Sequence, residues 1–202
     1  MPLLDMPFSG ACERNRQPIL EVLRQHFADR HRVLEIGSGT GQHAVFFAAD
    51  LPQLIWQTAD RGENLAGIRA WLKEAQLPNL PVPLELDVNG GWPQACYDAV
   101  FSANTLHIMS WREVEHMFAR LPEVMTAGAK LAIYGPFNYG GRYTSDSNAA
   151  FDQSLKQAAP HMGIRDFEVV DALAQAIGLC LLEDRVMPAN NRCLVWQRAN
   201  AG

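Results

Sequence analysis

Apolar residues follow two alternating rhythms along this chain. Val33, Leu34 and Ile36, then residues 54–59, 99–101 and 131–134, form short apolar runs. Runs of this length predict strands buried on both faces of a parallel sheet. Between them, apolar residues recur every three or four positions: Ile19, Leu20, Leu23 and Phe27; Ala44, Phe47, Ala48 and Leu51; Leu65, Ile68 and Leu72; Val114, Met117, Phe118 and Leu121; Val170, Leu173 and Ile177. Each set paves one face of a helix. Pro52, Pro78 and Gly178 mark helix ends, and Ser110-Trp111-Arg112-Glu113 is a capping box that starts one.

The predicted order is a helix at residues 15–27, a strand at 33–36, a helix at 42–51, a strand at 54–60, a helix from Leu65, and strands at 82–88 and 97–103. The capping-box helix, a strand at 130–134, helices at 149–159 and 166–177, and strands at 179–186 and 192–198 complete it. The last two strands, joined by Met187-Pro188-Ala189-Asn190-Asn191, predict an antiparallel hairpin. The expected architecture is α/β: one domain over residues 1–202 with a mostly parallel seven-stranded sheet, helices on both faces and a closing hairpin.

Chemistry enters at the loop after the first strand, where Gly37, Gly39 and Gly41 alternate. Glycine lets a backbone turn sharply and approach a ligand, so a nucleotide-like ligand is expected. The dinucleotide fingerprint requires Gly or Ala where this chain has Gln42. Glu35, just before the loop, would repel a pyrophosphate and favour a cationic ligand. Asp60 ends the second strand 19 residues after Gly41, near the ~20 expected of an acidic residue that binds ribose hydroxyls. Its alternative is a helix cap.

Other strand ends supply further candidates, because ligands of open α/β sheets bind outside the carboxyl ends. His107 follows the fourth strand, and an imidazole with an ordinary pKa of ~6.5 suits a general base. A partly buried structural histidine is the alternative. The first helix should run antiparallel to the first strand, which places Glu13, Arg14 and Asn15 beside the ligand unless they are only a solvated helix start. The polar segment 138–148 leaves a strand's carboxyl end and reads as a lid, with Tyr139, Arg142 and Asn148 as substrate contacts; a disordered surface loop is its alternative.

Glu35-Ile36-Gly37-Ser38-Gly39-Thr40-Gly41 resembles the S-adenosylmethionine loop of the class I methyltransferases. The whole chain is similar to the small methyltransferase-like family that includes animal methyltransferase-like protein 26. The similar blocks are Glu13-Arg14-Asn15 with Pro18-Ile19-Leu20, the glycine loop, Gly135-Pro136-Phe137, Thr144-Ser145-Asp146-Ser147-Asn148 with Phe151-Asp152, Gly163-Ile164-Arg165-Asp166 and Met187-Pro188-Ala189-Asn190-Asn191. The resemblance implies a Rossmann-like fold, S-adenosyl-L-methionine as methyl donor and S-adenosyl-L-homocysteine as product. It places Glu35 near the sulfonium, Gly37, Ser38, Gly39 and Gly41 around the nucleoside, and Asp60 on the ribose. Asp87 and the Val88 amide would hold the adenine, a turn-forming Asp87 being the alternative, with Asn104, Arg14 and Asn15 bordering the donor.

The resemblance brings no substrate; the charge balance favours a small-molecule or protein acceptor. The Asn/Asp-Pro-Pro-Tyr/Phe motif of many base- and amide-nitrogen methyltransferases is missing after the fourth strand, as is the Pro-Cys nucleophile of cytosine C5 enzymes. A non-catalytic S-adenosylmethionine-binding or protein-interaction module is the alternative function. An NAD-dependent oxidoreductase is disfavoured by Gln42 and Glu35.

Composition narrows the partners. The net charge of −5 comes without a basic stripe, so no nucleic acid is expected. Cys12, Cys96, Cys180 and Cys193 are scattered, which predicts reduced thiols and no metal site. No apolar run has the length of a membrane span, and Pro2, Asp5 and Pro7 do not fit a signal peptide, so a cytoplasmic protein is expected.

Overall fold

A computed structural model of the chain describes residues 6–200; Pro2 and Asp5, and the two ends of the expected 1–202 domain, lie outside the described residues. In chain order the elements are α1 (Gly10–His26), β1 (Arg32–Ile36), α2 (Gln42–Asp50), β2 (Ile55–Asp60), α3 (Leu65–Ala75), β3 (Leu84–Glu85), β4 (Tyr97–Ala103) and α4 (Trp111–Val124). There follow β5 (Met125–Gly135), β6 (Phe137–Asn138), α5 (Asp146–Ala158), β7 (Arg165–Asp166), α6 (Phe167–Ala176), β8 (Leu179–Met187) and β9 (Asn191–Arg198). Seven strands form one sheet in the order β3-β2-β1-β4-β5-β9-β8. β1 to β5 are parallel, and β9 runs antiparallel to both β5 and β8. The chain builds outward from β1 to β3, then returns to the other side of β1 for β4. That reversal opens a crevice between the carboxyl ends of β1 and β4, the usual ligand position in open α/β sheets.

Alternation along the strands explains the unbroken apolar runs. Val33 of β1 joins Leu23, Phe27, Phe47 and Trp56 under α1 and α2. Leu34 and Ile36, one step out of phase, pack with Met117 and Phe118 of α4 on the other face. Among the described residues no helix is long and apolar enough to cross a membrane.

Several predicted boundaries move, each for a local reason. α1 starts five residues before Asn15, capped by Ser9, whose side chain accepts from the Cys12 amide. The apolar rhythm misses this first turn because its residues border a cavity instead of the core. The expected strand at 82–88 shrinks to Leu84–Glu85, since prolines 81 and 83 lack amide protons and the Gln57 side chain takes the Val82 carbonyl. β5 extends back to Met125, and α5 begins at Asp146, so Asn148 sits in a helix and not in a loop. The small β6-β7 pair was not predicted.

Glu35 is the exception inside β1. It shares Val33's side of the sheet, is 1% exposed, and accepts a hydrogen bond of 3.0 Å from the Trp56 indole. Burial pushes its carboxyl up to about 7; hydrogen bonds from Trp56 and Ser38 oppose the rise, and the nearby Asp60 charge adds to it. Since the folded value of about 7 exceeds the reference value of 4.5, stability is lost as pH rises through this window. Glu35→Gln is therefore expected to gain on the wild type as pH rises from 5 to 8, reaching about 3 kcal/mol in chemical denaturation. A pH-independent difference would contradict the buried neutral carboxyl.

Candidate functional site

The carboxyl ends of β1, β2, β4 and β5 open into a cavity of about 2020 Å³. Its floor is the glycine loop. Gly37 has φ 76°, and a Cβ there would stand 2.7 Å from Thr105 Oγ1; at Gly41, with φ 89°, it would stand 3.2 Å from the Ile68 Cα of α3. Both glycines are thus required by packing, and Gly41 does not line the cavity. Gly37, Ser38 and Gly39 do, and Gly39 has open space where a Cβ would stand.

This loop is held from the end of β2. The Gly37 and Ser38 amides donate to the Ala59 carbonyl at 2.9 and 3.2 Å. The Gly39 amide donates to Asp60 Oδ2 at 2.6 Å, while Asp60 Oδ1 accepts from the Arg61 amide at 2.7 Å and from Asn64 Nδ2 at 2.8 Å. Asp60 therefore caps the turn that follows and also borders the cavity. Beyond it, Leu86, Asp87, Val88 and Asn89 continue the wall. Asp87 Oδ1 accepts from the Asn89 amide, and the Asn89 side chain reaches His116 on α4.

The start of α1 closes the near end. Gln42 Oε1 accepts from the Ser9 amide at 2.5 Å, and its amide nitrogen donates to Glu13 Oε1 at 3.1 Å. The residue that breaks the dinucleotide fingerprint thus ties α1 to the glycine loop. His43 donates from Nε2 to Asn15 Oδ1 at 2.7 Å, leaving Nδ1 facing the Cys12 sulfur at 3.9 Å. Burial, together with the Arg16 charge, pushes His43 down to about 4. Arg14, Asn15 and Cys12 line the cavity. Glu13 does not, because it is paired with Arg16 at 2.8 Å.

Opposite lies the turn after β4. Asn104 takes a left-handed φ of 57° as its amide meets the Tyr134 carbonyl. His107 is buried at 6% exposure, its ring set edge-on to Phe151 at 5.4 Å. Burial first, and the Arg165 charge second, push His107 down to about 4, so the ring is neutral across the physiological range. Its nitrogens make no hydrogen bond to protein among the described residues. Ile108, Phe151, Met162 and Pro188 give this end an apolar surface. Asn148 joins α5 to the β8-β9 turn by donating to the Asn190 carbonyl at 3.0 Å.

Like Gly41 and Glu13, the expected site residues Glu35, Tyr139 and Arg142 stand apart from the cavity. Glu35 lies beneath the loop, bonded to Trp56, and does not line the cavity. Tyr139 donates to Asp184 at 2.7 Å and stacks on Phe167, and it closes a tight turn with Arg142 through paired backbone bonds. The 138–148 segment therefore folds against β8 and α6, leaving only Ser147 and Asn148 at the cavity. Residues not foreseen include Ser9, Cys12, His43, His116 and Phe151. For Phe151 and the β8-β9 turn, the similar blocks were a usable signal. For His116 none was, because its neighbour Asn89 lies 27 residues away in sequence.

Known structures share this fold. An O-methyltransferase family protein from Burkholderia thailandensis is similar over 92% of this chain and 57% of its own, at 19% identity and a TM-score of 0.81. The S-adenosylmethionine-dependent methyltransferase SibL is similar over 94% of this chain and 56% of its own, at 21% identity and a TM-score of 0.79. PigF, in a structure with SAH, is similar over 90% and 61%, at 15% identity and a TM-score of 0.75. The chain spans little more than half the length of these proteins. Such likenesses establish a Rossmann-like methyltransferase fold. A family model described as "Protein of unknown function (DUF938)" matches residues 6–198, and the chain belongs to that family.

Proposed function

We propose that this protein is an S-adenosylmethionine-dependent methyltransferase that methylates a hydroxyl oxygen on a small-molecule or protein acceptor, leaving S-adenosylhomocysteine. We also assign it to the family that includes methyltransferase-like protein 26, on the blocks given above. The observation that carries the function is the pairing, across one cavity, of an Asp60-bound glycine loop with a neutral imidazole that has no partner among the described residues. The names of the similar structures, O-methyltransferases and a complex with SAH, favour the same donor and an oxygen acceptor.

The residues fit such a donor. Gly39 leaves a side-chain-free surface for the nucleoside, and Asp60 stands where its carboxylate can accept from ribose hydroxyls. Asp87 and the Val88 amide are assigned to the adenine, and Asn104, Arg14 and Asn15 to the methionine end. Glu35 acts from below, on the loop's support. When bound, the donor supplies a sulfonium methyl group for in-line displacement. The acceptor oxygen gains the carbon bond that sulfur gives up, and His107 takes the hydroxyl proton on a ring nitrogen. The low pKa makes this a weak base that is always available, suited to an acidic hydroxyl or to proton transfer concerted with bond formation.

In thermal unfolding, S-adenosylmethionine or S-adenosylhomocysteine at ~100 times its dissociation constant adds about 2.7 kcal/mol, a rise of roughly 5 to 10 °C, with none from NAD. A shift with NAD alone would refute the donor. His107→Asn is expected to lower methyl transfer about 100- to 10,000-fold while the homocysteine product still binds. In wild type the acid limb of kcat/KM should fall near pH 4 instead of near the ordinary imidazole value. Unchanged transfer in His107→Asn would remove the base assignment, and product binding without transfer to any acceptor tested would leave a binding module.

A further inference from the structure

The block Gly163-Ile164-Arg165-Asp166 has no place in the donor site, yet it meets the turn that carries His107 at three carbonyls, those of Leu106, His107 and Met109. Arg165 Nε donates to the Leu106 carbonyl at 3.1 Å, and its Nη2 donates to the carbonyls of Met109 and of His161, the latter at 3.0 Å. The Gly163 amide donates to the His107 carbonyl at 2.9 Å. We propose that Arg165 is the positioning residue of the acceptor-side base, gripping the 106–109 turn so that the His107 ring is held at the cavity wall. The inference rests on the reading of His107 as that base.

Two features argue for more than loop packing. The Arg165 guanidinium is partly buried and makes no ion pair among the described residues; its fork is spent on carbonyls. A group that only had to satisfy carbonyls could be neutral, which would avoid desolvating a charge. Here the retained charge, held on the carbonyls that flank His107, disfavours the imidazolium form of its ring. Other charged groups nearby do not substitute for it: Asp152 of α5 acts on Arg165, Lys156 is bound to Asp152 at 2.6 Å, and Glu113 is held by the Ser110 amide. His161 gives Arg165 its carbonyl.

The second feature is how the clamp itself is anchored. Asp152, 1% exposed, accepts from the Ile164 amide at 2.7 Å and from the Tyr143 hydroxyl at 2.7 Å. A Cβ at Gly163 would stand 3.0 Å from Asp152 Oδ1, so the close approach needs glycine. β7, which carries Arg165, pairs with β6, whose first residue, Phe137 of the Gly135-Pro136-Phe137 block, lies opposite Arg165. Phe151, next to the anchor, touches the His107 ring. Phe151 and Gly163, from two of the similar blocks, thus both meet His107, and the third block supplies Phe137 to pair with Arg165.

The test is a pH titration of the His107 ring by NMR in the full chain labelled with nitrogen-15 histidine, the signal being assigned by its loss in His107→Asn. In Arg165→Met the ring should take up its proton up to about one pH unit higher than in wild type, the Arg165 charge being the smaller of the two causes that hold it down. Arg165→Lys keeps the charge and should titrate as wild type, but with a broadened or split signal because the fork is lost. Product binding, measured by calorimetry with S-adenosylhomocysteine, should stay within about twofold in both, since Arg165 does not line the donor end. Arg165→Gln replaces Arg165→Met if the latter does not fold. Identical titration and line shape in the Met or Gln variant and the Lys variant would overturn the proposal. Should the variants behave as expected while His107→Asn keeps full methyl transfer, the base assignment fails and the clamp on the ring stands.

Discussion

A loop of alternating glycines has almost no side chains with which to hold itself, and here the Asp60 carboxylate holds it. One oxygen fixes the Gly39 amide and the other fixes the start of the next turn through Arg61 and Asn64. Because β1 and β2 are adjacent parallel strands, this bond joins two strand ends that sequence separates by 21 residues. The loop then forms a fixed surface, against which α3 and the turn after β4 pack so closely that Gly41 and Gly37 admit no side chain. Hydrogen bonds to charged groups contribute more than neutral ones, which suits a loop that must keep its left-handed backbone.

Electrostatics below and across the loop follow from burial. Glu35 sits under the loop against Trp56 and is pushed towards neutrality, which avoids a second close negative charge beside Asp60. Across the cavity, His107 and His43 are both held neutral, by burial with help from Arg165 and Arg16 respectively. His43 is committed to Asn15 and faces Cys12, whereas His107 keeps its ring nitrogens free of protein partners among the described residues. The same desolvation therefore has two consequences. One imidazole locks α1 to α2, and the other is available to a substrate.

Much of this was legible in the sequence because it is local. Strand-loop-helix rhythm, the capping box at Ser110 and the closing hairpin depend on neighbours within a few residues, and the helix at Trp111–Val124 has both bonds of its capping box. Asp60 and Asp87 both line the cavity, because strand ends converge on one edge of a parallel sheet. What stayed hidden depends on partners distant in sequence. Tyr139 and Arg142 look like binding residues until β8 and α6 supply Asp184 and Glu168 as partners for their turn. Glu35 reads as a ligand contact because its position is right, but the pleat turns it towards Trp56. The role of Arg165 needed the carbonyls of a turn 56 to 59 residues away.

The central claim is that Asp60 joins the loop to the ribose of an S-adenosyl donor, and calorimetric titration of S-adenosylhomocysteine into wild type and Asp60→Ala tests it most directly. Wild type should bind one equivalent, and the variant, losing charged hydrogen bonds, should bind about 10- to 100-fold more weakly. Equal affinity in the two proteins, or no binding to wild type, would contradict the account.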